Sequence, residues 1–337
     1  MNRQLVAKIA NTIMYEGYML YPYRPSAVKN RQRWTVGILY PPQYHEVRAG
    51  TERSQMHSEC LLKTGSKAAL QVHLRFLQLV TKQVAERIDQ AFRPVSSLVI
   101  DGHLIENWDE GIERCAQVDL PVEAIKHSVE FSFPASNSSE SMLNAAGEVV
   151  ANSIRMQQEL RGKVCASLEK VGDDVWKLTI DVVNANLQVF DAQNRNEALL
   201  RSMLTAHCIV TSVGGEFISL LDPPEDLQKV AGSCRNVGNF PVLVGETGER
   251  DTILCSPILL YDYPQIAPES AGDFFDATEM DEMLTLRVMT LSPDEKKEML
   301  ADERMRELLE RTEQSARAQL ARTHGTIRGL HRVPEES

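Results

Sequence analysis

The chain contains no CxxC pair, no P-loop, no GxGxxG after a strand, no GxSxG and no HExxH. Those absences remove the nucleotide, dinucleotide, hydrolase and zinc classes that announce themselves by spacing, while dispersed ligands or triads stay open. No apolar run approaches the ~20 residues that span a bilayer. The N-terminus, MNRQLVAKIANTIMYEGYML, is interrupted by Lys8, Asn11 and Glu16, so it does not read as a secretory signal peptide. Basic residues are outnumbered, 36 Lys and Arg against 47 Asp and Glu, which leaves a net charge of −11. That balance points away from nucleic acid and from anionic membranes. The six cysteines (Cys60, Cys115, Cys165, Cys208, Cys234 and Cys255) are scattered, and free thiols in a reducing cytoplasm are the simplest account of them. The expected location is therefore cytoplasmic, and no cofactor is implied.

What remains is an ordinary soluble composition, 43% apolar and 25% charged over 337 residues. Leu5, Val6, Ile9, Ile13 and Met14 recur at helical spacing, which predicts an amphipathic helix over 3–19. Trp34–Tyr40 reads as a strand ended by Pro41 and Pro42. Residues 55–62 and 69–80 read as two strands around a Gly65 turn, the second with Leu70, Val72, Leu74 and Phe76 on one face. A short helix is expected at 82–92, an acidic irregular stretch at 101–123, a linker at 134–141 and a helix at 142–160. Hairpins are predicted at 162–184 about Gly172-Asp173-Asp174, at 204–221 about Gly214-Gly215, and at 241–261 about the Gly-Glu-Thr-Gly turn. Asp276 with Glu279, and Ser292-Pro293-Asp294-Glu295, are helix-start signals.

The expected class is thus α+β: an antiparallel sandwich-like or curved-sheet core, an N-terminal helix and a helical C-terminus. The expected divisions are an α+β region at 1–133, a linker and connecting helix at 134–160, a β region at 161–275, helices at 276–330 and a disordered tail at 331–337.

Candidates for chemistry are few, and each has a plain alternative. His57, Glu59 and Cys60 look like a metal cluster, but on a strand His57 and Glu59 share one face while Cys60 points to the other. His207 and Cys208 fail as a chelating pair for the same reason. Cys234 sits in a polar loop beside Arg235, which would favour a thiolate, so it is the reactive-thiol candidate against a plain loop cysteine. Arg24, Lys29, Arg31 and Arg33 with Trp34 form a basic-aromatic stretch. It suits a protein interface, or ion pairs with the chain's own acids, better than nucleic acid in so acidic a chain. The surplus acids near Glu269 and Asp273 suggest a second partner-facing surface. Met280, Met283, Met289, Met299 and Met305 read as helix packing, with a Met-lined groove as the sharper alternative.

The wording itself carries one more inference. The run from CRNVGNFPVLVG through SPILLYDYPQIAPES to TEMDEMLTLR, with the N-terminal MYEGYMLYPYRPSAVKNRQRW, resembles a family of uncharacterised accessory proteins. These are encoded in gene clusters of actinobacterial and acidobacterial nickel–iron hydrogenases. The resemblance covers most of the chain and carries over no catalytic residue. It implies a non-catalytic accessory, assembly or auxiliary component whose partners are hydrogenase subunits or maturation factors. Two other readings stay open. One is a metal-dependent enzyme drawing on His73, His103, His127 and His207; the other is a structural β-sandwich protein.

Overall fold

A single strand of 34 residues, β1 (Gln55–Ile88), organises the molecule. The computed structural model describes residues 3–15, 36–121 and 126–265. At ~3.3 Å per residue such a strand would reach roughly 110 Å if straight, far beyond any small core, so it has to bend. It bends where its partners change. One side pairs in turn with β10 (Val175–Asn184), β5 (Trp108–Pro121) and β2 (Ala91–Val95). The other side pairs with β11 (Leu204–Ile218) and then β8 (Val149–Gln157). Between Thr64 and Ala69 the register against β11 shifts opposite Gly214-Gly215. A bulge of this kind adds residues to one strand and increases its curl.

The outer ladders complete an 11-stranded antiparallel sheet. β9 (Leu160–Lys170) lies beside β10, with β6 (Lys126–Phe133) at its far edge; β13 (Thr252–Ser256) and β12 (Phe240–Leu243) continue from β11, and β7 (Ser136–Leu143) edges β8. β3 (Ser97–Ile100) and β4 (His103–Glu106) form a separate hairpin about Asp101-Gly102, where both residues take positive φ. The sheet curls into a half-barrel around one core. Leu62, Leu70, Val72, Leu74 and Phe76 of β1 meet Val118 and Leu120 of β5, Val164 and Leu168 of β9, Leu178 and Ile180 of β10 and Cys208 and Val210 of β11. Phe76, Phe131 and Phe133 close one end with ring centroids 5.9 Å apart.

Helices are short and peripheral. α1 (Arg3–Tyr15) lays Val6, Ile9 and Ile13 on Val242, Val244 and Leu254, the outer face of the β12–β13 edge. α2 (Pro42–Val47), α3 (Arg195–Leu199) and α4 (Gln228–Ala231) are single turns or little more. None of the described helices is long and apolar enough to cross a membrane.

Several expectations are corrected. The class is not α+β: 56% of the described residues are in strands and 12% are helical, in one curled sheet rather than a sandwich. The Gly65 and Gly214-Gly215 turns do not form, because β1 and β11 run straight through and pair with each other on both sides of the bulge. The helices expected at 82–92 and 142–160 are strands instead. β8 is held between β1 and β7, and a segment flanked by ladders on both sides satisfies its backbone as a strand. The acidic stretch at 101–123 is β4 and β5, whose inward positions Ala116, Val118 and Leu120 alternate with outward Gln117 and Asp119. The linker at 134–141 is largely β7. The boundary between 1–133 and 161–275 runs through the ladders of β1 with β10 and β11. The helical C-terminus expected at 276–330, the tail at 331–337 and the five methionines lie outside the described residues.

Candidate functional site

The loop at 232–239 lies across the start of β1 and is fastened there on several sides. His57 and Val237 exchange both backbone hydrogen bonds, at 3.0 and 2.8 Å. The Glu59 amide donates to Asn236 Oδ1 at 2.9 Å, the Arg235 amide donates to Glu59 Oε2 at 2.7 Å, and Ser58 Oγ donates to Asn239 Oδ1 at 2.6 Å. The outward face of β1 adds charge. His57 Nδ1 lies 2.6 Å from Asp181 Oδ1 on β10, and its Nε2 lies 3.6 Å from Glu59 Oε1. Lys177 Nζ bridges Glu59 at 3.7 Å and Glu169 at 2.9 Å, which holds its own pKa above the usual lysine value.

Cys234 sits beside this group, half-buried. It packs, partly buried, against the cluster of Leu61, Val175, Ile218 and Ala231. Burial, and then the charge of Glu59, push its thiol up to about 11, against a weaker opposite pull from Lys177. Burial thus works against the thiolate expected from Arg235, whose backbone amide engages Glu59. These bonds fasten the loop to the outward face of β1, so the group works as a clamp. In an iodoacetamide time course near pH 7.5, Cys234 in the native chain should label at least about tenfold more slowly than in the unfolded chain, and Glu59→Gln should speed it. Equal native and unfolded rates would remove this account of the thiol.

The far end of the clamped loop forms one wall of a cavity of about 510 Å³. Its other walls are residues 36–40, Glu52, Arg53 and Met56 at the entry to β1, Arg195 at the start of α3, and Ala206, Pro257 and Ile258. Two glycines permit the close walls. Gly37 has φ +57, and a Cβ there would lie 2.8 Å from Pro257 Cβ; Gly238 has φ +84 and faces Arg53 Cδ at 3.3 Å. Tyr40 is 1% exposed. Burial pushes its phenol up to about 12 despite the nearby Arg195 guanidinium, which hydrogen-bonds to it. Tyr40 therefore stays neutral throughout the ordinary pH range.

No protein-family model matches this chain, and no curated protein matches it. The site must be judged on its own residues. Its lining residues include two arginines, Arg53 and Arg195, one carboxylate, Glu52, and Tyr40, and the lining surface is mostly polar.

The other candidates disperse. His73 Nε2 lies 2.7 Å from Gln71 Oε1 on the outer face of β1, His127 is on β6, and His207 is buried where α1 crosses β11. Cys60 points into the core, opposite to His57 and Glu59. Among the described residues no group of three or more His, Cys, Asp and Glu is placed to hold a metal ion. Arg24, Lys29, Arg31, Arg33, Trp34, Glu269 and Asp273 lie outside the described residues. The sequence reading missed Tyr40, Arg53 and Arg195. No spacing could have flagged them, since they come from three separate segments.

Proposed function

We propose that the protein is a non-catalytic accessory or auxiliary component associated with a nickel–iron hydrogenase, acting through protein–protein surfaces. The wording of 234–291 and of the N-terminal segment supports this reading. The structural observation that carries it is the conformation of SPILLYDY, part of that wording. Ile258 and Leu260 turn inward onto the cluster under α1, while Leu259 and Tyr261 turn outward at 92% and 86% exposure. The stretch is pinned beyond them: Asp262 accepts from Ser219 Oγ at 2.5 Å and from the Leu243 amide at 2.8 Å. Large apolar side chains held outward on a fixed backbone lose little freedom on binding and suit interface anchors. The test is affinity purification of the tagged protein from its native host. Hydrogenase subunits or maturation factors should be enriched, and a Leu259→Ser, Tyr261→Ser double variant should reduce that enrichment at least about tenfold without lowering the unfolding midpoint. Failure of the unaltered protein to enrich any of them would sink the proposal.

A further inference from the structure

We propose that the outward surface of Leu259 and Tyr261 is covered, until a partner displaces it, by a segment of this same chain, the basic stretch 314–333. The inference rests on the docking reading of that surface given above and names its regulation. The surface extends beyond the two side chains. Asp262 accepts from Ser219 Oγ, and that oxygen in turn accepts from the amides of Leu221, at 3.1 Å, and Asp222, at 2.9 Å. Leu221, 47% exposed, is thereby held beside the outward pair, and an acidic run starts at Asp222. Asp222, Glu225 and Asp226 are all exposed and make no ion pair among the described residues. Lys229 is the one base between Asp222 and Cys234, so the run stays net negative. Exposed apolar side chains rimmed by carboxylates fit an occupant that is cationic and apolar at once.

The C-terminal sequence contains such a segment. Residues 314–333 read QSARAQLARTHGTIRGLHRV, with Arg317, Arg322, Arg328 and Arg332, no Asp or Glu, and the apolar Leu320, Ile327 and Leu330. The intervening 266–313 is net acidic and would be repelled by the same run. Guanidiniums suit both the carboxylates and the ring face of Tyr261. Position favours the contact as well. The described chain ends at Gln265, four residues beyond Tyr261, so the segment is tethered to a point beside the surface. Such a tether gives an effective concentration on the order of 1 mM, and a contact with a Kd of about 0.1 mM would then be made about nine-tenths of the time. The same weak contact between separate molecules at ~1 µM would be made about one-hundredth of the time.

Photo-cross-linking of the purified full chain tests this, with the photoreactive p-benzoylphenylalanine in place of the exposed Leu259. After irradiation at ~1 µM protein and about 50 mM salt, the monomer should carry cross-links that map by mass spectrometry to 314–333. Combining Arg317→Glu, Arg322→Glu, Arg328→Glu and Arg332→Glu should cut their yield at least about tenfold, and adding Asp222→Lys, Glu225→Lys and Asp226→Lys should restore it. Raising the salt to about 500 mM, which shortens the screening length about threefold, should also lower the yield. Cross-links confined to dimers, cross-links to 16–35 or 266–313 instead, no cross-link at all, or an undiminished yield in the four-arginine variant would each overturn the proposal. The readout needs no hydrogenase component, so its failure is separate from failure of the affinity purification. In that purification the four-arginine variant should enrich partners more strongly than the unaltered chain, and equal enrichment would reject the regulation.

Discussion

Asn184→Ala will lower the thermal unfolding midpoint by about 5 °C, from a loss of about 3 kcal/mol. Asn184 closes β10 and is fully buried. Its Nδ2 donates to the carbonyls of Leu39 and Arg201, each at 2.9 Å, and its Oδ1 accepts from the Asn186 amide at 3.0 Å. Its own amide donates to the Ser54 carbonyl at 2.9 Å. One side chain thus ties together the segment before α2, the end of α3 and the exit from the sheet. The Leu39 carbonyl keeps a second donor in Met203, but the Asn186 amide would be stranded. Asn184→Asp should be worse than alanine, because a carboxylate would face two carbonyl oxygens in a buried place. Differential scanning calorimetry checks both. A shift below about 1 °C would mean that water replaces these bonds without penalty.

The second large effect is acid sensitivity through His207. Its Nδ1–H donates to the Thr205 carbonyl at 2.7 Å, and its Nε2 has no partner among the described residues. Burial pulls its pKa from 6.5 down to about 4 against the opposing hydrogen bond to Thr205; the Arg75 charge lowers it further and Glu113 raises it less. The unfolded chain therefore takes up a proton below pH 6.5 that the folded chain refuses until about pH 4. Stability is full above that upper value and is lost as pH falls toward the lower one, by about 3 kcal/mol in total. Asp119 and Glu159 also shift, both downward, Asp119 chiefly through its Gln71 hydrogen bond and Glu159 through Arg161. Their contributions begin to fade only below the ordinary carboxylate values of 3.8 and 4.5. Among the described groups with a resolved shift, His207 alone changes its contribution between pH 6.5 and 4.5. Urea unfolding of His207→Leu should show a nearly flat stability across it, and a slope equal to that of the unaltered protein would reject the assignment.

Legibility differed by element. α1 was readable because Val6, Ile9, Ile13 and Met14 repeat at the helical period, and all four are buried. The hairpin of β9 and β10 was readable from its Gly-Asp-Asp turn between alternating runs. The Asp101-Gly102 turn was an available hairpin signal that the run of neighbouring acids obscured. By contrast, Gly65 and Gly214-Gly215 look like turns in isolation and are facing sides of one bulge. Only the mutual pairing of β1 and β11 distinguishes these outcomes, and it joins residues about 150 positions apart.

The site divides in the same way. Strand alternation alone placed His57 and Glu59 on one face and Cys60 on the other, and so argued against a metal there. It could not show that Cys234 would be half-buried beside Glu59, which reverses the expected effect on its thiol. Nor could it bring Tyr40, Arg53 and Arg195 to one cavity. The sequence by itself determined local period, turn chemistry and face, because those depend on neighbours along the chain. The tertiary structure alone decided which strands extend, which thiol is suppressed and which charges converge. Those outcomes follow from burial and from backbone pairing between distant segments, and neither is written in any one of them.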